Sequence, residues 1–183
     1  MRFCIIFVFI TLNSSANADE FSERLVSFSL LKESHASFVE VWTADYLEEP
    51  LISKGILFYK RPGKLIKNIE HPESVRQIIE GNQLSVIRNG ETHSVQLSDE
   101  PLLATGIYAL RDFLEGNKNN LKNRFEIIFT ELNKEWNLTL VPKDNQVAKK
   151  IKEIVLQGFD SRILQIHIEY RNGDKLLTEI SHD

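Results

Sequence analysis

The sequence of 183 residues contains one cysteine, eight glycines and five prolines. The cysteine, Cys4, lies inside the apolar run that opens the chain and not at its end. It is therefore not placed as a lipid-modified N-terminal residue, and a fold held by disulfides is excluded. No G-x-S-x-G, P-loop or H-E-x-x-H motif occurs. The histidines, His35, His71, His93, His167 and His182, are scattered without short ligand spacing, so no metal or other cofactor is expected. Glu48 and Glu49 stand together before Pro50 and read as a solvated loop pair. With no catalytic constellation, an enzyme is not expected. No basic run interleaves with aromatics and the net charge is -4, which argues against nucleic-acid binding. Linkers, internal repeats and low-complexity tracts are missing as well, which leaves one domain.

What is present begins with "MRFCIIFVFITLNSSANADEF". An arginine at the second position, an apolar run from Phe3 to Leu12 and the small residues Ala16-Asn17-Ala18 make residues 1–18 a secretory signal peptide with an A-x-A cleavage site. The run is roughly half the length of a membrane span, and no later segment is long enough either. The expected mature protein is a single domain over residues 19–183. Without its leader it has no cysteine, and an exported protein of that kind fits a bacterial periplasm better than a disulfide-rich secretome.

Two periods organise the rest. Phe21, Leu25, Phe28 and Leu31 recur at helical spacing, so a helix is predicted from Asp19, as a potential cap, to about Ser34. The period then falls to two in "ASFVEVWT", "ILFYKR", "LIKNIE", "VRQIIE", "LSVIRN" and "THSVQL". Pro62-Gly63, Gly81-Asn82 and Asn89-Gly90 separate these runs too tightly for crossover helices, so they must form an antiparallel meander. "DEPLLATGIYALRDFLEGNKNNLKN" interrupts it with a helical stripe of Leu102, Leu103, Ile107, Leu110, Phe113 and Leu114. Asp99 suits its cap, Pro101 its first turn and Gly116 its end. Five more strands follow, from "RFEIIFTEL" to "KLLTEIS".

The fold class is thus mainly β with α (α+β): about eleven antiparallel strands, an N-terminal helix and a helical insertion mid-chain. "ILFY" and "EIIF" are apolar on both faces, which demands cover on each side or a sheet curled around something. An incomplete antiparallel β-barrel with helices on its concave side meets that demand and suits an apolar ligand. In "KGILFYKRPGKLIKNIEHP", residues 54–72, alternation places Leu57 and Tyr59 on one face and then Arg61 at its rim. Leu65 and Lys67 continue beyond the turn. If that face is concave, the Lys67 ammonium borders the cavity and can meet a phosphate or carboxylate head group; otherwise it is solvated.

"HASF" at 35–38, "KGILFYKRP" at 54–62, "HPES" at 71–74 and "IIEGNQL" at 78–84 stand in the order and spacing of the periplasmic lipoprotein carrier (LolA-like) family. "WNLTLVPKD" and "GFDSRILQI" extend the resemblance over essentially the whole mature chain. The resemblance implies a half-barrel closed by a helical lid. It also implies transfer of lipoprotein or other lipid acyl chains from an inner-membrane exporter to an outer-membrane acceptor. The family's arginine before proline, which ties the lid to backbone carbonyls, falls on Arg61. Leu65 and Lys67 stand where the family has aromatics, a departure that leaves both a lipoprotein and another exported lipid open as cargo. The expected cavity and lid residues are Leu57, Tyr59, Arg61, Leu65, Lys67, Leu103, Ile107, Leu110 and Phe113. A lipocalin-like binder of a small apolar ligand is the alternative, although lipocalins place their main helix after the strands.

Overall fold

The structure, a computed structural model, describes residues 14–182, with side chains from Glu20 onward. Six strands follow the first helix: β1 (Glu33–Thr43), β2 (Leu51–Lys60), β3 (Lys64–His71), β4 (Val75–Glu80), β5 (Gln83–Arg88) and β6 (Glu91–Gln96). Five more close the chain: β7 (Phe125–Leu132), β8 (Glu135–Pro142), β9 (Ile151–Phe159), β10 (Arg162–Tyr170) and β11 (Lys175–Ser181). All eleven make one antiparallel sheet in the order β6-β5-β4-β3-β2-β1-β11-β10-β9-β8-β7. Two meanders therefore run outward from a central β1–β11 pairing, and the ends β6 and β7 do not meet. This is the expected incomplete barrel. Tight turns keep each strand beside its predecessor, as at Asn89-Gly90, where both residues hold positive φ in the manner of a type I′ hairpin.

The helices differ from expectation at their ends. Helix α1 (Ser14–Ser29) starts before Asp19, which lies in its interior and not at its cap. It also stops short of Ser34, because Glu33 and Ser34 already pair with Lys60 and Tyr59 across β1 and β2. Of the expected leader, residues 1–13 lie outside the described residues, and 14–18 form the first turn of α1.

Asp99 sits in a 3-10 turn (Leu97–Asp99), and Glu100 takes the cap position of α2 (Pro101–Leu114) without a side-chain bond. Gly116 follows with φ of 69°. A Cβ there would lie 2.7 Å from Ser29 Cβ and 2.8 Å from the Leu25 carbonyl oxygen, so this glycine lets the end of α2 press on α1. A second helix in the insertion, α3 (Lys118–Arg124), is capped by the Asn117 side chain, which accepts from the Asn120 amide. One turn of helix, α4 (Asn145–Ala148), starts at Asp144, whose carboxylate accepts from Gln146 and Val147.

Register puts Ala36, Phe38 and Glu40 of β1, Leu57 and Tyr59 of β2, Leu65 and Lys67 of β3, and Leu138 and Leu156 of β8 and β9 on one concave face. Over β7–β9 that face is filled solidly. Phe28 lies 4.6 Å from Phe113 and 5.7 Å from Trp136 between ring centroids, and Phe21 lies 5.3 Å from Phe129. Burying each ring contributes roughly 1.5–3 kcal/mol. Polar pins fix the helix over them: Arg24 donates to both Glu131 carboxylate oxygens, at 2.5 and 3.2 Å, and to the Asp160 carbonyl at 2.6 Å. Trp136 Nε1 donates to that same carbonyl at 2.9 Å.

Candidate functional site: a covered cavity on the concave face

Beyond the ring-packed region the concave face is lined by branched aliphatic side chains, which leave space under α2. The result is a cavity of about 310 Å³. Its walls are Leu57, Leu65, Ile79 and Leu84 from β2–β5, Ile163, Ile166 and Ile168 from β10, and Leu103, Ile107 and Leu110 from α2. Leu84 is buried, whereas Leu102 and Leu103 are 42% and 46% exposed and mark the mouth. A concave apolar site of this size stands at the small end of ligand pockets.

Leu57, Tyr59, Leu65, Lys67, Leu103, Ile107 and Leu110 all border this one cavity. Phe113 does not. It lies three residues beyond Leu110 on the same helical stripe, but its ring turns into the stack with Phe28 and, at 5.2 Å, Trp136, while the next residue, Leu114, still borders the cavity. It is a core residue.

Arg61 also stands outside the lining, at the junction of both helices and the β2–β3 turn. Its Nε donates to the Leu31 carbonyl at 3.1 Å; one Nη donates to the carbonyls of Leu114 and Glu115 at 3.4 and 3.1 Å. Those carbonyls belong to the end of α2 and the segment after α1, where helices leave acceptors unpaired. A guanidinium supplies donors in a fork that spans them, so Arg61 ties the covering helix to the strand edge.

A second anchor is Asp112, buried in α2. Its Oδ1 accepts from Asn120 at 3.2 Å, and Arg124 Nε lies 3.3 Å from Oδ2. Burial pushes this carboxyl above the usual range, while Asn120 and Arg124 pull it back. The C-terminal end of α2 is thereby tied to the β2–β3 turn and to α3, and the helix covers the cavity from Leu102 to Leu114.

The wall is not uniformly apolar. Lys67 Nζ lies 2.6 Å from Glu40 Oε1 and 4.8 Å from the Phe38 ring centroid, and Thr178 Oγ1 donates to Glu40 Oε2 at 2.9 Å. Both charged side chains are about four-fifths buried, at 19% and 18% exposure. Sequence reasoning missed Glu40, although a signal existed: alternation in "ASFVEVWT" sets it between Phe38 and Trp42 on the buried face. Tyr59, 3% exposed, carries a hydroxyl that finds no hydrogen-bond partner among the described residues. Its pKa is raised by burial, with Arg61 lowering it and Glu115 raising it.

Against known proteins, a family model described as outer membrane lipoprotein carrier protein LolA-like matches residues 13–181. Among solved structures, the Mycobacterium tuberculosis lipoprotein LppX is similar at 12% identity, over 92% of this chain and 95% of that one, with a TM-score of 0.50. The LolA superfamily protein NE2245 from Nitrosomonas europaea shares 13% identity over 90% and 91% of the two chains, with a TM-score of 0.47. No curated protein matches by sequence. At such identities the likeness to solved structures is one of fold. Among the described residues, no helix is long and apolar enough to cross a membrane.

Proposed function

Because the chain belongs to the LolA-like outer membrane lipoprotein carrier family, we propose that it is a periplasmic carrier of acyl chains. In this reading it takes a lipoprotein or another lipid from an inner-membrane exporter, shields the chains in the cavity, and yields them to an outer-membrane acceptor. The observation that carries the reading is an aliphatic cavity whose cover is tied down by one arginine through three carbonyls.

Burying a methylene contributes roughly 0.8 kcal/mol, so a dozen of them contribute on the order of 10 kcal/mol. A carrier with that full affinity does not let go. A chain longer than the closed cavity must lift α2, which breaks bonds to Arg61 at about 1.5–3 kcal/mol for a charge-assisted contact. Opening thus offsets part of the apolar gain and keeps release within reach.

Expression of the whole chain in a cell with two membranes, purification without detergent, and mass spectrometry of the solvent extract tests the reading. The expected result is acylated lipid in stoichiometric excess over a control protein. A folded protein with no extractable lipid and no saturable uptake of a fluorescent acyl probe overturns it.

A further inference from the structure

The cavity wall changes character along the strands. In the inward-facing register row nearest the β2–β3 turn, Tyr59, Leu65, Ile79 and Leu84 stand side by side. One row further on, Lys67 and Gln77 pair across β3 and β4. Glu40 and Thr178 pair across β1 and β11, and the Lys67–Glu40 contact links the two pairs. All four residues border the cavity, as does Tyr170 of β10.

Much of the bonding capacity gathered there is left open. Lys67 gives one of its three donors to Glu40 and sets its ammonium over the Phe38 ring. Glu40 accepts from Lys67 and Thr178, one bond to each oxygen, where a carboxylate has about four acceptor sites. The Gln77 amide and the Tyr170 hydroxyl have no hydrogen-bond partner among the described residues. Neither is sealed inside protein in the way of the Tyr59 hydroxyl. Burial, then Asp174 and Glu40, raise the Tyr170 pKa, so the phenol stays a donor within electrostatic reach of Glu40.

The charges of Lys67 and Glu40 cancel, and this decides which group the cluster can take. An anion gains Lys67 only by sharing it with Glu40, and it must shed its hydration beside that carboxylate. An ammonium meets the same obstacle in Lys67. Bare hydrocarbon leaves the open donors and acceptors desolvated without partners. A hydroxyl both accepts and donates, so its oxygen can take a Lys67 or Gln77 donor while its proton goes to Glu40. Two hydroxyls on adjacent carbons reach two of these side chains at once and leave the ion pair intact.

We propose that Glu40, Lys67, Gln77 and Tyr170 form a subsite for an uncharged, hydroxylated head group, the vicinal diol that a glycerol or a sugar presents. The proposal rests on the carrier reading and names the head of the cargo, whose acyl chain lies along the leucines and isoleucines of the same cavity.

Displacement of the uncharged fluorophore N-phenyl-1-naphthylamine by four ligands with twelve-carbon chains tests it: 1-monolauroylglycerol, dodecyl glucoside, methyl laurate and laurate. The wild type is expected to bind at least one of the two hydroxylated ligands about tenfold more tightly than methyl laurate or laurate. The tighter of the two tells a glyceride from a glycolipid. In Glu40→Leu/Lys67→Met, where an apolar pair of similar volume replaces the ion pair, that advantage is expected to vanish with methyl laurate unchanged. Gln77→Leu, which removes no side-chain hydrogen bond of the protein, is expected to weaken the hydroxylated ligands about threefold and methyl laurate not at all. This second variant carries the test where the double variant does not fold. A wild type that ranks methyl laurate or laurate level with or above both hydroxylated ligands overturns the subsite, and so does an unaltered ranking in either folded variant. If the wild type releases the fluorophore to none of the four ligands, the carrier reading itself fails.

Discussion

One concave face is used in two ways. Over β7–β9 it meets α1 and the end of α2 with Phe21, Phe28, Phe113, Phe129 and Trp136, whose rings pack at centroid distances of 4.6–5.7 Å. Over β2–β5 and β10 it meets α2 mainly with leucines and isoleucines, beside Tyr59 and Tyr170, and leaves about 310 Å³ open. Both regions obey the same alternation, and both are apolar. The difference is side-chain size and helix depth: large rings fill the space between layers, and smaller branched chains do not. Gly158 marks the filled side, since a Cβ there would lie 2.2 Å from Trp136 and push the indole out of the stack. Core and cavity are thus the two ends of one design.

The largest expected effects come from asking the two regions to tolerate the same truncation. Phe113→Ala is expected to cost about 3–5 kcal/mol in denaturant unfolding, because the void it leaves is walled by rings that cannot collapse. Ile107→Ala, on the same helix but facing the cavity, is expected to cost about 1 kcal/mol and to weaken binding of an acyl probe several-fold. Its side chain already borders space, so little packing is lost. Equal costs at the two positions would erase the distinction.

Next in size is the pin on the filled side. Glu131→Ala leaves Arg24 buried with only Asp160 as partner and is expected to cost about 3 kcal/mol, with no change in probe affinity. On the cavity side, Arg61→Leu removes the tie across both helices. A stability loss of about 2 kcal/mol is expected, with faster amide exchange in α2 and unchanged exchange in β7–β9. Such a variant should take up lipid and surrender it more slowly to acceptor vesicles. Uniform acceleration of exchange across the sheet would mean that Arg61 holds the whole fold and not its cover.

The strands were readable because their determinants are local. A period of two and turn pairs such as Asn89-Gly90 act within a few residues, and each hairpin places the next strand beside the last. Helix α3 was not, since Leu121 is its only buried residue and its start is set by one asparagine. The end of α1 was missed because the helical stripe runs on to Leu31 while β-pairing with β2 claims the chain from Glu33. Arg61, Tyr59 and Lys67 stand out in sequence as polar atoms on an apolar face. Phe113 could not be told from Leu110, because a stripe gives the apolar face of a helix and not which partners each of its side chains meets. Glu40 shows in the alternation as a charge on the buried face, but its partners come from distant parts of the chain, Lys67 from β3 and Thr178 through the β1–β11 pairing.

The smallest expected effect concerns the joint between the two regions, Asp112. Its folded carboxyl titrates above the ordinary 3.8 because burial disfavours the anion more than Asn120 and Arg124 favour it. The native state then holds a proton over a pH window in which the unfolded chain has released it. Stability from this group is therefore greatest at low pH and falls as pH rises from about 3.8 through the folded value. Asp112→Asn, which cannot titrate, is expected to lack that decline. The difference in unfolding free energy, variant minus wild type, should rise across the window and be flat above it, by about 1.4 kcal/mol for each pKa unit of displacement. A difference that instead falls with pH would mean that Arg124 and Asn120 outweigh burial, and that the joint is held by charge pairing rather than strained by it.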